Sequence, residues 1–186
     1  MNTALVWAAL GVVVGLRNAS RAVGNIALEQ NFGRVFRFGN FHRTAAFTPL
    51  VVVATVASYW ATARTFERNI TVLALTVMIN AVVVHIAVDI DTHLLLRRVN
   101  RRALIRGIPL LVIAAFVVDE PRRLVAMVAG GAIGWAVMTL LRVLSRGDLG
   151  GGDVSLCAMT GAFLGWVDLG HVPVSMVLGF VLGGVF

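Results

Sequence analysis

The sequence predicts an all-α, polytopic membrane protein with six or seven transmembrane helices. Three observations carry that expectation. Hydrophobic residues make up 59% of the 186 residues and charged residues only 13%, against about 25% charged in a soluble domain. Mean hydropathy is +0.89. The apolar residues fall into seven runs, near 2–16, 45–61, 70–88, 103–118, 124–142, 154–168 and 172–186, with most of the basic residues in the gaps between them. Such a chain packs helix against helix within lipid, where every backbone polar group must be satisfied internally.

The first run, MNTALVWAALGVVVGL, has no basic region ahead of it and no convincing cleavage site, so it reads as a retained span. The second ends near Trp60, at a position suited to an interface anchor. The third and fifth approach the roughly 20 residues that a full span requires. The fourth and sixth are short, so they tilt or begin inside a polar cleft. Trp166 near the end of the sixth reads as a second interface anchor. Residues 21–44 are the one sizeable polar stretch, basic and rich in phenylalanine, and are expected along the inner membrane surface. Gly11/Gly15, Gly130/Gly134, Gly161/Gly165 and Gly179/Gly183 are four small-xxx-small pairs, each able to bring helices close.

The net charge of +7 does not read as nucleic-acid binding, because all sixteen basic residues are arginines and most sit in short loops. Loop arginines set topology and meet anionic headgroups. With the N-terminus outside, only Arg64, Arg68, Arg122 and Arg123 face outward and the other twelve face the cytoplasm. That orientation puts Asp89, at the end of the third run, and Asp153, at the start of the sixth, at the same face, although 64 residues separate them.

Those two aspartates are the candidate catalytic residues. An ionisable group at the edge of a span is costly and marks a functional site by default. Asp153 follows Gly150, Gly151 and Gly152, whose small size permits a sharp turn and close approach of a substrate backbone. A carboxyl pair that carries one proton can activate water and polarise a scissile carbonyl. No metal or organic cofactor is required for that chemistry. The single cysteine, Cys157, excludes an internal disulfide and a CxxC zinc site.

These residues resemble the type IV prepilin peptidases, membrane aspartyl proteases of the glycine-x-glycine-aspartate class. The family's first motif is an aspartate, six residues, then proline and a polar residue. Here it is Asp89, residues 90–95, then Leu96 and Arg97. The second, glycine-x-glycine-aspartate-x-lysine-leucine, is matched by Gly150, Gly151, Gly152, Asp153, Val154, Ser155 and Leu156. Gly161, Ala162, Gly165 and Trp166 match a downstream glycine-alanine…glycine-tryptophan pattern. The resemblance spans roughly residues 70–186. Leu96 stands where proline is common, and Ser155 where lysine is common, which removes a cation near the carboxyl pair.

Length and hydropathy allow a single membrane-embedded domain over 1–186, with residues 21–44 as a short cytoplasmic segment, and the resemblance implies that this domain is a peptidase. It implies cleavage of a prepilin or pseudopilin leader at the cytoplasmic face of the inner (plasma) membrane, with the lipid bilayer as the other partner. Longer members carry a zinc domain with two CxxC pairs and N-methylate the new terminus; this chain lacks those pairs, so methylation is not implied.

Other readings of the same residues stand beside this one. Asp91 rivals Asp89 and lies about 200° round a helix from it. Asp148 is a weaker rival of Asp153. Both, with Ser155, are possible auxiliary residues. His85, Asp89 and His93 recur every four residues, and with Asp153 they raise a metal-dependent hydrolase or a cation carrier. That face is interrupted if the helix ends near Asp91, since His93 then leaves it. An inactive paralogue and an acid-gated transporter complete the alternatives; the acids lie at one rim, and no inverted repeat is visible.

Overall fold

The computed structural model describes residues 2–31, 40–66, 69–146 and 149–183. Among them the chain forms seven α-helices, one short 3-10 turn and no strand. In order these are α1 (Thr3–Asn31), the turn Phe41–Arg43, α2 (Phe47–Thr65), α3 (Asn69–Thr92), α4 (Arg97–Val117), α5 (Arg122–Leu144), α6 (Gly151–Val167) and α7 (His171–Gly183). Each apolar run corresponds to one helix. Three stretches among the described residues are long and apolar enough to cross a membrane: Thr3–Asn31, Ile70–Thr92 and Arg122–Leu144. The helices gather into two compact units, Met1–Leu96 and Arg97–Phe186.

In the first unit, α1 runs well beyond the apolar stretch that announced it. Its buried residues are Ala4, Gly11, Gly15, Asn18, Ala19, Ala22, Ile26 and Glu29, one stripe at helical spacing. Of the polar stretch 21–44, residues up to Asn31 therefore continue α1 because that stripe continues. Residues 32–39 lie outside the described residues. Gly11 and Gly15 let α2 approach: an added Cβ would lie 2.9 Å from the Val56 Cα and 2.8 Å from the Val52 Cα. Numbers rise along α1 as they fall along α2, so the two helices are antiparallel. A polar node ties all three helices of the unit. Asn18 donates to the Asn80 Oδ1 at 2.9 Å, and the Tyr59 hydroxyl donates to the same oxygen at 3.0 Å. Interhelical hydrogen bonds of this kind are one of the few forces that hold helices together in lipid. Helix α3 packs against both α1 and α2, which pair most extensively with each other.

In the second unit, α5 and α6 meet along a glycine seam. A Cβ on Gly130 would overlap the Gly161 carbonyl, one on Gly161 the Gly130 carbonyl, and one on Gly134 the Cys157 carbonyl. Two of the four small-xxx-small pairs thus face each other, and Gly11/Gly15 makes a third that packs. Gly179 has nothing near it. The outward face of α5 is apolar, with Val125 73% and Val128 65% exposed, as a lipid-facing surface requires. Helix α4 lies parallel to α6, joined at Asn100–Ser155, Gly107–Phe163 and Leu111–Trp166. The Trp166 ring N–H donates to the Leu111 carbonyl at 3.1 Å, the side chain is buried, and Arg123 lies 4.9 Å above the ring. The expectation of Trp166 as a headgroup anchor is therefore corrected: it is a core residue. Trp60 is exposed, with Arg64 5.2 Å from its ring, as an anchor would be.

Candidate active site

Asp89 sits in the last turn of α3 and is half-buried. The helix ends three residues later through backbone geometry. His93 takes a left-handed conformation, φ 50°, and its N–H donates to the Asp89 carbonyl at 2.8 Å. A left-handed residue just past the last turn is a common helix stop. It does here what a proline would do a few residues later, so Leu96 is free to pack, and it is buried. The same stop takes His93 off the face that carries His85 and Asp89. His85 is buried one turn earlier on α3. Among the described residues, no group of three His, Cys, Asp or Glu side chains could hold a metal ion. The metal reading of His85, Asp89 and Asp153 draws no support from this arrangement.

Asp91 is only 1% exposed. Its Oδ1 accepts the Phe41 N–H at 2.8 Å, and its Oδ2 accepts the His42 N–H at 2.8 Å. The His42 Nδ1 lies 2.7 Å from the same Oδ2. Asp91 thus fastens the Phe41–Arg43 turn to the end of α3. Both oxygens are engaged and hidden, which gives Asp91 a structural role at this turn. Asp148, the other auxiliary candidate, lies outside the described residues.

Asp153 occupies the first turn of α6, as its position after three glycines implied. Gly150 is the N-cap, extended at φ −65°, ψ 142°. The Asp153 carboxyl folds back over it: a Cβ on Gly150 would stand 2.7 Å from Oδ2. The chain reaches this point from α5 through Arg146, φ 55°, with the Leu149 N–H donating to the Ser145 Oγ at 3.3 Å. Gly151 is hemmed in by cations. The Arg97 Nε donates to the Gly151 carbonyl at 3.1 Å. A Cβ at Gly151 would overlap the Arg97 Nη2 and stand 2.8 Å from the Arg142 Nη1. Gly152 follows as the second residue of the helix. Ser155, where lysine is common, accepts a 3.3 Å hydrogen bond from the Asn100 amide, whose side chain is fully buried. Sequence reasoning found Asp153 and the glycines but missed Arg97, Arg142 and Asn100. Arg142 read only as a topology signal and Arg97 as that and the polar residue closing the first motif, and nothing local tied either to a loop some fifty residues away or across a turn.

The sequence model of the type IV leader peptidase family matches residues 73–186. This chain belongs to that family. The match takes in most of α3 and all of α4–α7, and so includes Asp89, Arg97, Gly150–Gly152 and Asp153. No curated protein and no solved structure matches the chain. As a type IV leader peptidase family member with helices able to span a bilayer, the protein is a membrane peptidase.

Proposed function

We propose that this family member is an aspartyl endopeptidase that removes the leader of type IV prepilin-like or pseudopilin-like proteins. The observation that carries the reading is the setting of Asp153. Its carboxyl stands on the first turn of α6, behind three glycines, in the matched region that also holds Asp89. Glycine at 150–152 means that no side chain of the loop itself stands between the acid and an extended substrate strand.

In the proposed reaction one carboxylate takes a proton from water, whose oxygen attacks the scissile carbonyl. The other, protonated, polarises that carbonyl and then supplies the proton that leaves with the amine as the C–N bond breaks. This chemistry draws on no metal and no organic cofactor. Cleavage is placed at the cytoplasmic face of the inner (plasma) membrane, on the strength of the arginine bias. The substrate is a small secreted subunit with a short basic leader ahead of an apolar helix. With Asp91 engaged by the Phe41–Arg43 turn, leader charge falls to Asp148 and selection to shape.

Co-expression with a candidate prepilin tests the reading. The expected result is a leader-sized drop in prepilin mass that persists in EDTA. Prepilins that stay full-length beside well-expressed protein would count against a leader peptidase. Cleavage abolished by EDTA and restored by a divalent metal would count for the metal reading.

A further inference from the structure

We propose that Arg97 is a positioning residue for Asp153, acting as a latch on the first turn of α6 with Arg142 beside it. The inference rests on the reading of Asp153 as a catalytic carboxyl and extends it to Arg97, which closes the first motif, and to Arg142, outside both motifs.

Three observations carry it. The Arg97 Nε donates to the Gly151 carbonyl at 3.1 Å, so α4 grips α6 two residues before the acid. The guanidinium lies where a side chain at 151 would stand, with the Arg142 Nη1 2.8 Å from the same point. A side chain at 151 would have to push both guanidiniums aside and break the Arg97 contact with the Gly151 carbonyl. One turn further along, the buried Asn100 donates to the Ser155 Oγ at 3.3 Å and fixes the same face of α6 to the same face of α4. Residues 151 and 155 are held, and Asp153 lies between them.

The dipole of α6 does not by itself attract cations to this end. The N-terminus of a helix is its positive end, where acidic side chains stabilise and arginines do not. Two guanidiniums nevertheless converge there, on a turn whose one acidic residue is Asp153. Departures from local electrostatic preference of this kind concentrate at functional sites. The latch holds the turn, and hence the carboxyl, in one place before substrate arrives. A displacement of about 1 Å at a reacting group can cost on the order of a hundredfold in rate.

The test uses the full chain in detergent or proteoliposomes, with a synthetic peptide joining a basic leader to an apolar segment. Arg97→Ala, Arg97→Lys and Asp153→Asn are compared with the parent for kcat, KM and thermal unfolding. Arg97→Ala is expected to lower kcat about a hundredfold while KM and the unfolding midpoint stay near the parent values. Arg97→Lys keeps the charge and one donor, and should recover part of that loss. Full kcat in Arg97→Ala beside an inert Asp153→Asn would overturn the latch and leave the dyad standing. A kcat loss matched by an equal loss of folded protein would also overturn it. Normal cleavage by Asp153→Asn would overturn the catalytic reading, and the latch with it.

Discussion

Asp91 illustrates how a charged residue two positions from a catalytic candidate is put to another use. Two backbone N–H groups and one imidazole meet its carboxylate, all from a turn 49 or 50 residues earlier. Removing the carboxylate leaves those half-buried donors without it, which costs on the order of 1 kcal/mol. Asp91→Ala should therefore loosen the Phe41–Arg43 turn and speed proteolysis there, with α6 unaffected; unchanged cutting around Phe41 would contradict this role. Glu120 shows a simpler electrostatic effect outside the spans. Hydrogen bonds from Arg123 at 2.8 and 3.1 Å hold its carboxyl below the usual range, with Arg122 adding to the field. A lowered folded pKa contributes stability above the unfolded pKa, which is lost as pH falls through the folded one. Glu120→Gln should flatten the acid end of the unfolding midpoint against pH by a small amount, since the group is exposed. At this scale the sequence was only partly legible. Asp89 and Asp153 stood out because each is an acid at the edge of an apolar run. The duties of Asp91, Arg97 and Asn100 depend on partners from distant parts of the chain that no local pattern announces.

The helices themselves were the most legible feature, since each apolar run corresponds to one of them. The exceptions have local physical causes. Helix α1 extends to Asn31 because small and apolar residues recur on its buried face past Arg17, where the polarity of the other residues masks them. Helix α3 stops at Thr92 because His93 turns left-handed, a conformation histidine seldom signals in sequence. Close helix approach at Gly130/Gly134 and Gly161/Gly165 was expected from the glycine spacing, and the seam they form bears directly on the site, since α6 carries Asp153 and α5 carries Arg142. Gly130→Val would push side-chain atoms into the Gly161 carbonyl and the Gly165 Cα. Overpacking of this kind costs about 1–3 kcal/mol. The variant should unfold at a lower temperature and cleave more slowly, whereas Gly179→Val, with open space around it, should do neither. Equal tolerance at both positions would show that the seam does not hold α6.

At the scale of the molecule, the chain is a membrane peptidase whose two candidate acids belong to different compact units, Asp89 to Met1–Leu96 and Asp153 to Arg97–Phe186. Four residues, 93–96, are all that separate α3 from α4 in the chain. The arginine bias and the ends of α3 and α6 are what place both acids at the cytoplasmic rim in the proposed topology. The most direct measurement is prepilin processing by Asp89→Asn and Asp153→Asn, each expressed in membranes at the parent level. Full-length prepilin is expected with either variant and a mass shift with the parent. Processing that continues in both would contradict the catalytic role of the two acids.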